Sequence, residues 1–88
     1  MTDSLSQFAF DSIIIIGHTD STGDETLNKQ LSSNRAHTIA TYFKKANVKT
    51  STLRTEGKGS SVPLKSNSTE SGRTLNRRVE ILFYHKRP

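Results

Sequence analysis

Four consecutive isoleucines, Ile13 to Ile16, stop at Gly17. Branched side chains crowd a helical turn and pack well on a pleated surface, so a short run bounded by glycine predicts a buried strand. The stretch that follows, His18 to Asp24, consists of turn-forming residues throughout. A helix is then predicted from about Leu27 to Ala46. Lys44 and Lys45 suit the negative end of its dipole, and Asn47 marks its stop. A second strand is expected near Leu53 to Glu56, closed by Gly57-Lys58-Gly59, followed by a polar loop from Ser60 to Gly72. From Arg78 to Tyr84, Val79, Ile81 and Phe83 alternate with Arg78 and Glu80, the pattern of a half-buried strand. This order implies an α+β fold, a mixed β-sheet with its helix packed on one face.

Eighty-eight residues make a single domain spanning 1–88, and a chain this short buries only a modest share of its surface. Thirteen Lys and Arg against eight Asp and Glu leave a net charge of +5. Such a balance favours polyanions or carboxylate-rich polymers without choosing among them. There is no cysteine, hence no disulfide frame and no thiolate nucleophile or metal ligand. The aliphatic run at Ile13 is far too short to span a bilayer, so no direct membrane insertion is expected of this segment. Residues 1–12 lack the basic start and apolar core of a signal peptide; an export signal would lie upstream.

At about 100° per residue, Leu31, Ala36, Ile39, Tyr42 and Phe43 share one side of the predicted helix. Asn28 and Arg35 fall inside that apolar arc. A guanidinium on a core-facing stripe is costly unless paired, so Arg35 is expected to meet an anion.

The run Gly17-His18-Thr19-Asp20 with Gly23, then Asn28, Leu31, Ser32, Arg35 and Ala36, resembles the OmpA-like peptidoglycan-binding domain. The match continues through Gly57, Gly59, Pro63 and Asn67, then Gly72-Arg73 and Asn76-Arg77-Arg78-Val79-Glu80. It covers roughly residues 13–84, and that family includes outer-membrane porin tails, peptidoglycan-associated lipoproteins and flagellar stator subunits. The resemblance implies binding to the diaminopimelate residue of the peptidoglycan stem peptide, in the periplasm, as part of a protein anchored in the outer or inner membrane. Diaminopimelate carries an ammonium and a carboxylate on one side-chain carbon, so its receptor needs an anion and a bidentate cation close together. Asp20 matches the family's ammonium-contacting acid and Arg35 its carboxylate-clamping arginine. Asn28 is placed to orient Asp20 or bond the ligand. Arg77 matches an arginine beside the same cleft, and the Ser21 and Thr22 backbone groups are candidate donors.

One departure stands out. The family places a phenylalanine-rich first strand and then a helix ahead of the Gly-His-Thr-Asp strand. Here Phe8-Ala9-Phe10-Asp11-Ser12 carries that first-strand signature, yet it abuts Ile13 directly. Parallel neighbouring strands need a crossover of about a dozen residues or more. The family's first helix therefore has no place between Phe10 and Ile13. The segment is deleted, lies outside this sequence, or Ser4 to Phe10 is a remnant of something else, and a deletion would allow a homodimer completed by strand exchange.

Other chemistries are weaker. His18 and Asp20 are two candidate metal ligands without a third, so no metal or cofactor is expected. No nucleophile elbow or ordered triad is present, and Asp20, Asp24 and Glu25 cluster on one loop, so the chain does not read as an enzyme. The alternative is a basic nucleic-acid-binding module, but that class interleaves aromatics with basic residues, and here Phe8, Phe10, Tyr42 and Phe43 occupy core-type positions. Arg77 is favoured for the cleft and Arg78 for solvent. Arg73 is expected to anchor the Ser60–Gly72 loop, with Asn76 in a turn or at the start of the strand.

Overall fold

A computed structural model describes residues 9–85. The isoleucine run lies in strand β1, Ala9–Gly17, which is longer than the sequence pattern alone defines. Ala9 to Ser12 continue straight into Ile13, so these residues form no separate first strand; Phe8 lies outside the described residues. β2 is Lys49–Gly57 and β3 is Val79–Tyr84. The sheet order is β2-β1-β3, with β2 parallel and β3 antiparallel to β1. Ile13 sits opposite Leu53 on one side and Phe83 on the other, and Ile15 opposite Thr55 and Ile81. Directly opposed residues share a face of the sheet, so these form the face that the helix covers.

Helix α1, Glu25–Lys45, starts two residues earlier than its apolar pattern suggests because Asp24 caps it. The Asp24 carboxylate accepts from the Thr26 N–H at 2.7 Å, satisfying a donor that has no partner within the helix. At the other end Asn47 adopts φ 58°. The Val48 N–H donates to Phe43 O and the Asn47 N–H to Lys44 O, both at 3.1 Å. This pair of bonds is a Schellman motif, and it turns Val48 back onto the core. A short helix, α2, spans Glu70–Asn76. It replaces the end of the expected loop. Thr69 caps it, its Oγ1 accepting from Gly72 N at 3.0 Å.

The core is small: Phe10, Ile13, Ile15, Ala36, Ala40 and Phe43 are buried, with Ile39, Val48, Leu53, Val79 and Ile81 packed against them. Full burial of each isoleucine contributes on the order of 1.5–3 kcal/mol. Phe10, Phe43 and Phe83 close one end, with ring centroids 4.9 Å apart for Phe10–Phe83 and 6.3 Å for Phe43–Phe83.

The helical-wheel expectation needs correcting. The buried line on α1 runs through Ser32, Ala36, Ala40 and Phe43, while Leu31 is 44% and Tyr42 58% exposed. α1 lies over β1 and β2, so its Leu31–Tyr42 flank faces the side where no further described element packs. Among the described residues, β3 is likewise hydrogen-bonded on one edge alone. The ladder bond from His18 N to Arg78 O places Arg78, Glu80, Leu82 and Tyr84 on the bonded rungs. The backbone groups of Val79, Ile81 and Phe83 therefore point to the outer edge.

Close approach of helix to sheet depends on two glycines. A methyl at Gly17 would overlap the Ser32 carbonyl oxygen, and one at Gly57 would sit 2.6 Å from Ser33 N. Gly17→Ala is expected to destabilise the domain by about 1–3 kcal/mol, as overpacking against rigid backbone does. Urea unfolding should show a lower midpoint with an unchanged slope.

Candidate functional site

The site is built where β1 runs out. His18 N extends the ladder to β3, and the next amide, Thr19 N, donates instead to Gly59 O at 2.8 Å in the turn after β2. Held from both neighbours, the chain delivers Asp20 to the sheet's end, only 7% exposed. His18 is buried, with Nε2 2.6 Å from Glu80 Oε1.

Asp20 Oδ1 accepts from Thr22 N at 2.8 Å and Oδ2 accepts from Arg77 Nη1 at 2.5 Å. The carboxyl is held below its ordinary 3.8, first by the Thr22 N–H and also by Arg77, against the opposing effect of burial. Arg77 is pushed up in turn, first by its bond to Asp20. Its Nη2 donates to Thr74 Oγ1 at 2.9 Å, so α2 both supplies the guanidinium's neighbour and aims it. An ionised carboxylate has about four acceptor positions, so two bonds leave capacity for further donors.

Asn28 Nδ2 donates to Thr22 O at 2.9 Å and, more weakly, to Asp20 O at 3.4 Å. It therefore orients the loop through backbone oxygens and not through the Asp20 carboxylate. The amide hydrogens of Ser21 and Thr22 are committed within the protein, to Asn67 Oδ1 and Asp20 Oδ1 respectively. What these two residues leave exposed is their side chains.

Arg35 is half-buried, and among the described residues no carboxylate lies within ion-pair range of it. The anion expected at Arg35 is not supplied by the described residues, because none of their elements covers the α1 flank beside it. The guanidinium keeps access to water and escapes the desolvation cost on which the expectation rested. Asp20 pairs with Arg77 and Glu80 with His18. Arg35 nevertheless lies two turns along α1 from Asn28, about 10 Å at 1.5 Å per residue, on the same face. Helical side chains lean toward the N-terminus, which here is the Asp20 end.

Of the other residues, Arg73 settles as expected, whereas Arg78 and Asn76 do not. Arg78 is the less exposed arginine of the pair, its side chain 16% exposed against 36% for Arg77, and it donates to Val62 O at 3.2 Å. Arg73 anchors the preceding loop, donating to Asn67 O at 2.9 Å. Asn76 is a fully buried polar hub and not a simple turn residue. Its side-chain oxygen accepts from Leu64 N and Lys65 N, and its nitrogen donates to Lys65 O and Asn67 Oδ1. A separate shallow groove lined by His37, Thr38, Thr41, Tyr42 and Lys45 runs along the C-terminal half of α1 and contains no carboxylate.

A family model described as "OmpA family" matches residues 2–77. The probable lipoprotein YiaD of Escherichia coli K12 is 43% identical over 77 residues, covering 88% of this chain and 35% of that protein. The peptidoglycan-binding protein ArfA of Mycobacterium tuberculosis is 44% identical over 70 residues, covering 80% of this chain and 22% of that protein. Among solved structures, the cell wall anchor of the T6SS from Pseudomonas aeruginosa superposes with a TM-score of 0.81 at 28% identity, covering 97% of this chain and 62% of that one. The chain thus spans about a third or less of these two curated relatives.

Because the folded value of Asp20 is lowered, its contribution to stability is complete above the unfolded carboxylate value. It is lost as pH falls through the folded one. Arg77→Ala is expected to raise the NMR titration midpoint of the Asp20 carboxylate only part of the way, since the Thr22 N–H remains. Acid unfolding of that variant should begin at a higher pH than in wild type.

Proposed function

The chain belongs to the OmpA family, and on that premise we propose that it binds peptidoglycan non-covalently through diaminopimelate, anchoring an envelope protein to the cell wall in the periplasm. The observation that carries this reading is the Asp20 carboxylate, ionised, 7% exposed and already flanked by Arg77. An anion beside one arginine, with a second arginine further along the same face of α1 as Asn28, suits a zwitterion. The ligand's ammonium takes the remaining acceptor positions of Asp20, and its carboxylate meets Arg77 or Arg35, with Arg35 reaching back along α1. Relatives with cell-wall functions support the polymer as partner. The module is a binder and not a catalyst: recognition of a charged side chain by fixed counter-charges requires no reacting group. The nucleic-acid alternative is not favoured, because Phe10 and Phe43 lie in the core and Tyr42 and Tyr84 stand exposed on separate elements.

A second chain is part of the proposal. Leu82 is 40% and Tyr84 48% exposed on a strand whose outer backbone groups have no partner among the described residues. A strand from another copy would satisfy them, giving a homodimer by strand exchange. Light scattering should then show mass rising to the dimer with concentration, and a monomer throughout would remove the exchange.

For the binding reading, sedimentation with purified sacculi is expected to be lost in Asp20→Ala and weakened at least tenfold in Arg35→Ala, each about the effect of removing one charge-assisted contact. Stem peptide carrying lysine in place of diaminopimelate should bind more weakly, since it lacks the second carboxylate. Undiminished binding by both folded variants would exclude the clamp.

A further inference from the structure

The segment before α2 is joined to the Asp20 loop, among the described residues, by a single side chain. Asn76, 0% exposed, uses all four of its side-chain hydrogen-bonding positions on the segment Leu64 to Asn67. Its Nδ2 donates to Asn67 Oδ1 at 2.8 Å, which settles the orientation of the Asn67 amide with its oxygen facing inward. Arg73 Nη1 holds the Asn67 backbone oxygen from the same helix. So fixed, Asn67 Oδ1 accepts a second bond, from Ser21 N at 3.3 Å. Among the described residues no other hydrogen bond joins Ser21 or Thr22 to this segment.

Ser21 stands between Asp20 and Thr22, whose N–H is the largest influence on the Asp20 carboxyl. Anchoring the Ser21 amide restricts rotation of the peptide units on both sides of it. The Thr22 N–H is thereby kept aimed at Oδ1, and the free lone pairs of Asp20 keep their direction. We infer that Asn67 is a positioning residue for ligand binding, acting as an acceptor that locks the Ser21 amide and through it the Asp20 carboxylate. Asn76 and Arg73 are the brace that sets Asn67. This rests on the proposed peptidoglycan reading for its functional consequence, but not for its geometry.

The two are separable by experiment. Calorimetric titration with a diaminopimelate-containing stem peptide is carried out on wild type, Asn67→Ala, Asn67→Asp and, as control, Asp20→Asn. Loss of one hydrogen bond of ordinary strength predicts a three- to tenfold weakening, roughly, in Asn67→Ala. Asn67→Asp should restore binding, because a carboxylate oxygen accepts from both Ser21 N and Asn76 Nδ2. In the peptide-free protein, the Ser21 amide should exchange faster with solvent in Asn67→Ala and not in Asn67→Asp, and the Asp20 titration midpoint should rise in Asn67→Ala. The added charge of Asn67→Asp raises that midpoint by itself, so this variant is read by exchange and affinity. A merely structural role would move neither reading selectively. Equal affinity and unchanged Ser21 exchange in Asn67→Ala would overturn the inference, as would an equal loss in both variants. If wild type itself ignores the peptide, the binding reading fails. The exchange and titration results then still decide whether Asn67 positions the loop.

Discussion

Ser32 occupies the space that a side chain at Gly17 or Gly57 would otherwise need, and the geometry of the site depends on that contact. Its Oγ accepts from Gly59 N at 2.9 Å while donating to Lys29 O at 2.8 Å, so the turn after β2 is tied to the helix at the same point. With α1 seated there, the N-terminal turns of the helix lie beside the ends of β1 and β2. Asn28 reaches the carbonyls of the Asp20 loop only because the helix axis is this close. A bulkier interface would lift α1 and separate the helical half of the site from the strand half. Overpacking costs of one to a few kcal/mol, roughly, matter in a domain whose core, among the described residues, holds six buried apolar side chains.

Charge is arranged around this frame with one acid at its centre. Asp20 is buried enough for its hydrogen bonds to count, yet it remains ionised because the Thr22 N–H and Arg77 outweigh desolvation. Arg77 caps the end of α2 and Arg35 comes from α1, so the two cations approach from different elements and differ in their state. Among the described residues, Arg77 is paired with a carboxylate and Arg35 is not. An arginine already spent on Asp20 steadies the carboxylate, whereas one with no internal counter-charge is available to an incoming carboxylate. The flank that leaves Arg35 solvated is the flank that leaves Leu31 and Tyr42 exposed, and both follow from the same uncovered side of the helix.

Much of this was legible in the chain. The isoleucine run, the long helix with its lysine-rich end and Asn47 stop, and the alternating C-terminal strand all appear where local patterns place them. β2 was only half visible because Lys49 to Thr52 are polar. They are strand because β1 offers a parallel ladder from Ala9 onward, a tertiary decision that overrides propensity. α2 was hidden by its length and by having Leu75 as its lone apolar residue. The Thr69 cap followed by Glu70 was the signal that marked it. The brace formed by Asn67 and Asn76 could not be read from spacing, because an asparagine in a polar loop and one beside a strand look alike until their partners are known.

The sequence by itself determined the long helix, the isoleucine and C-terminal strands and the family, since each rests on local pattern or on an ordered motif. Which arginine meets Asp20 was decided by tertiary structure alone. The helical wheel gives Arg35 a direction but not a neighbour. Whether a guanidinium needs an internal anion depends on whether another element removes its water, and no property of α1 taken alone contains that information.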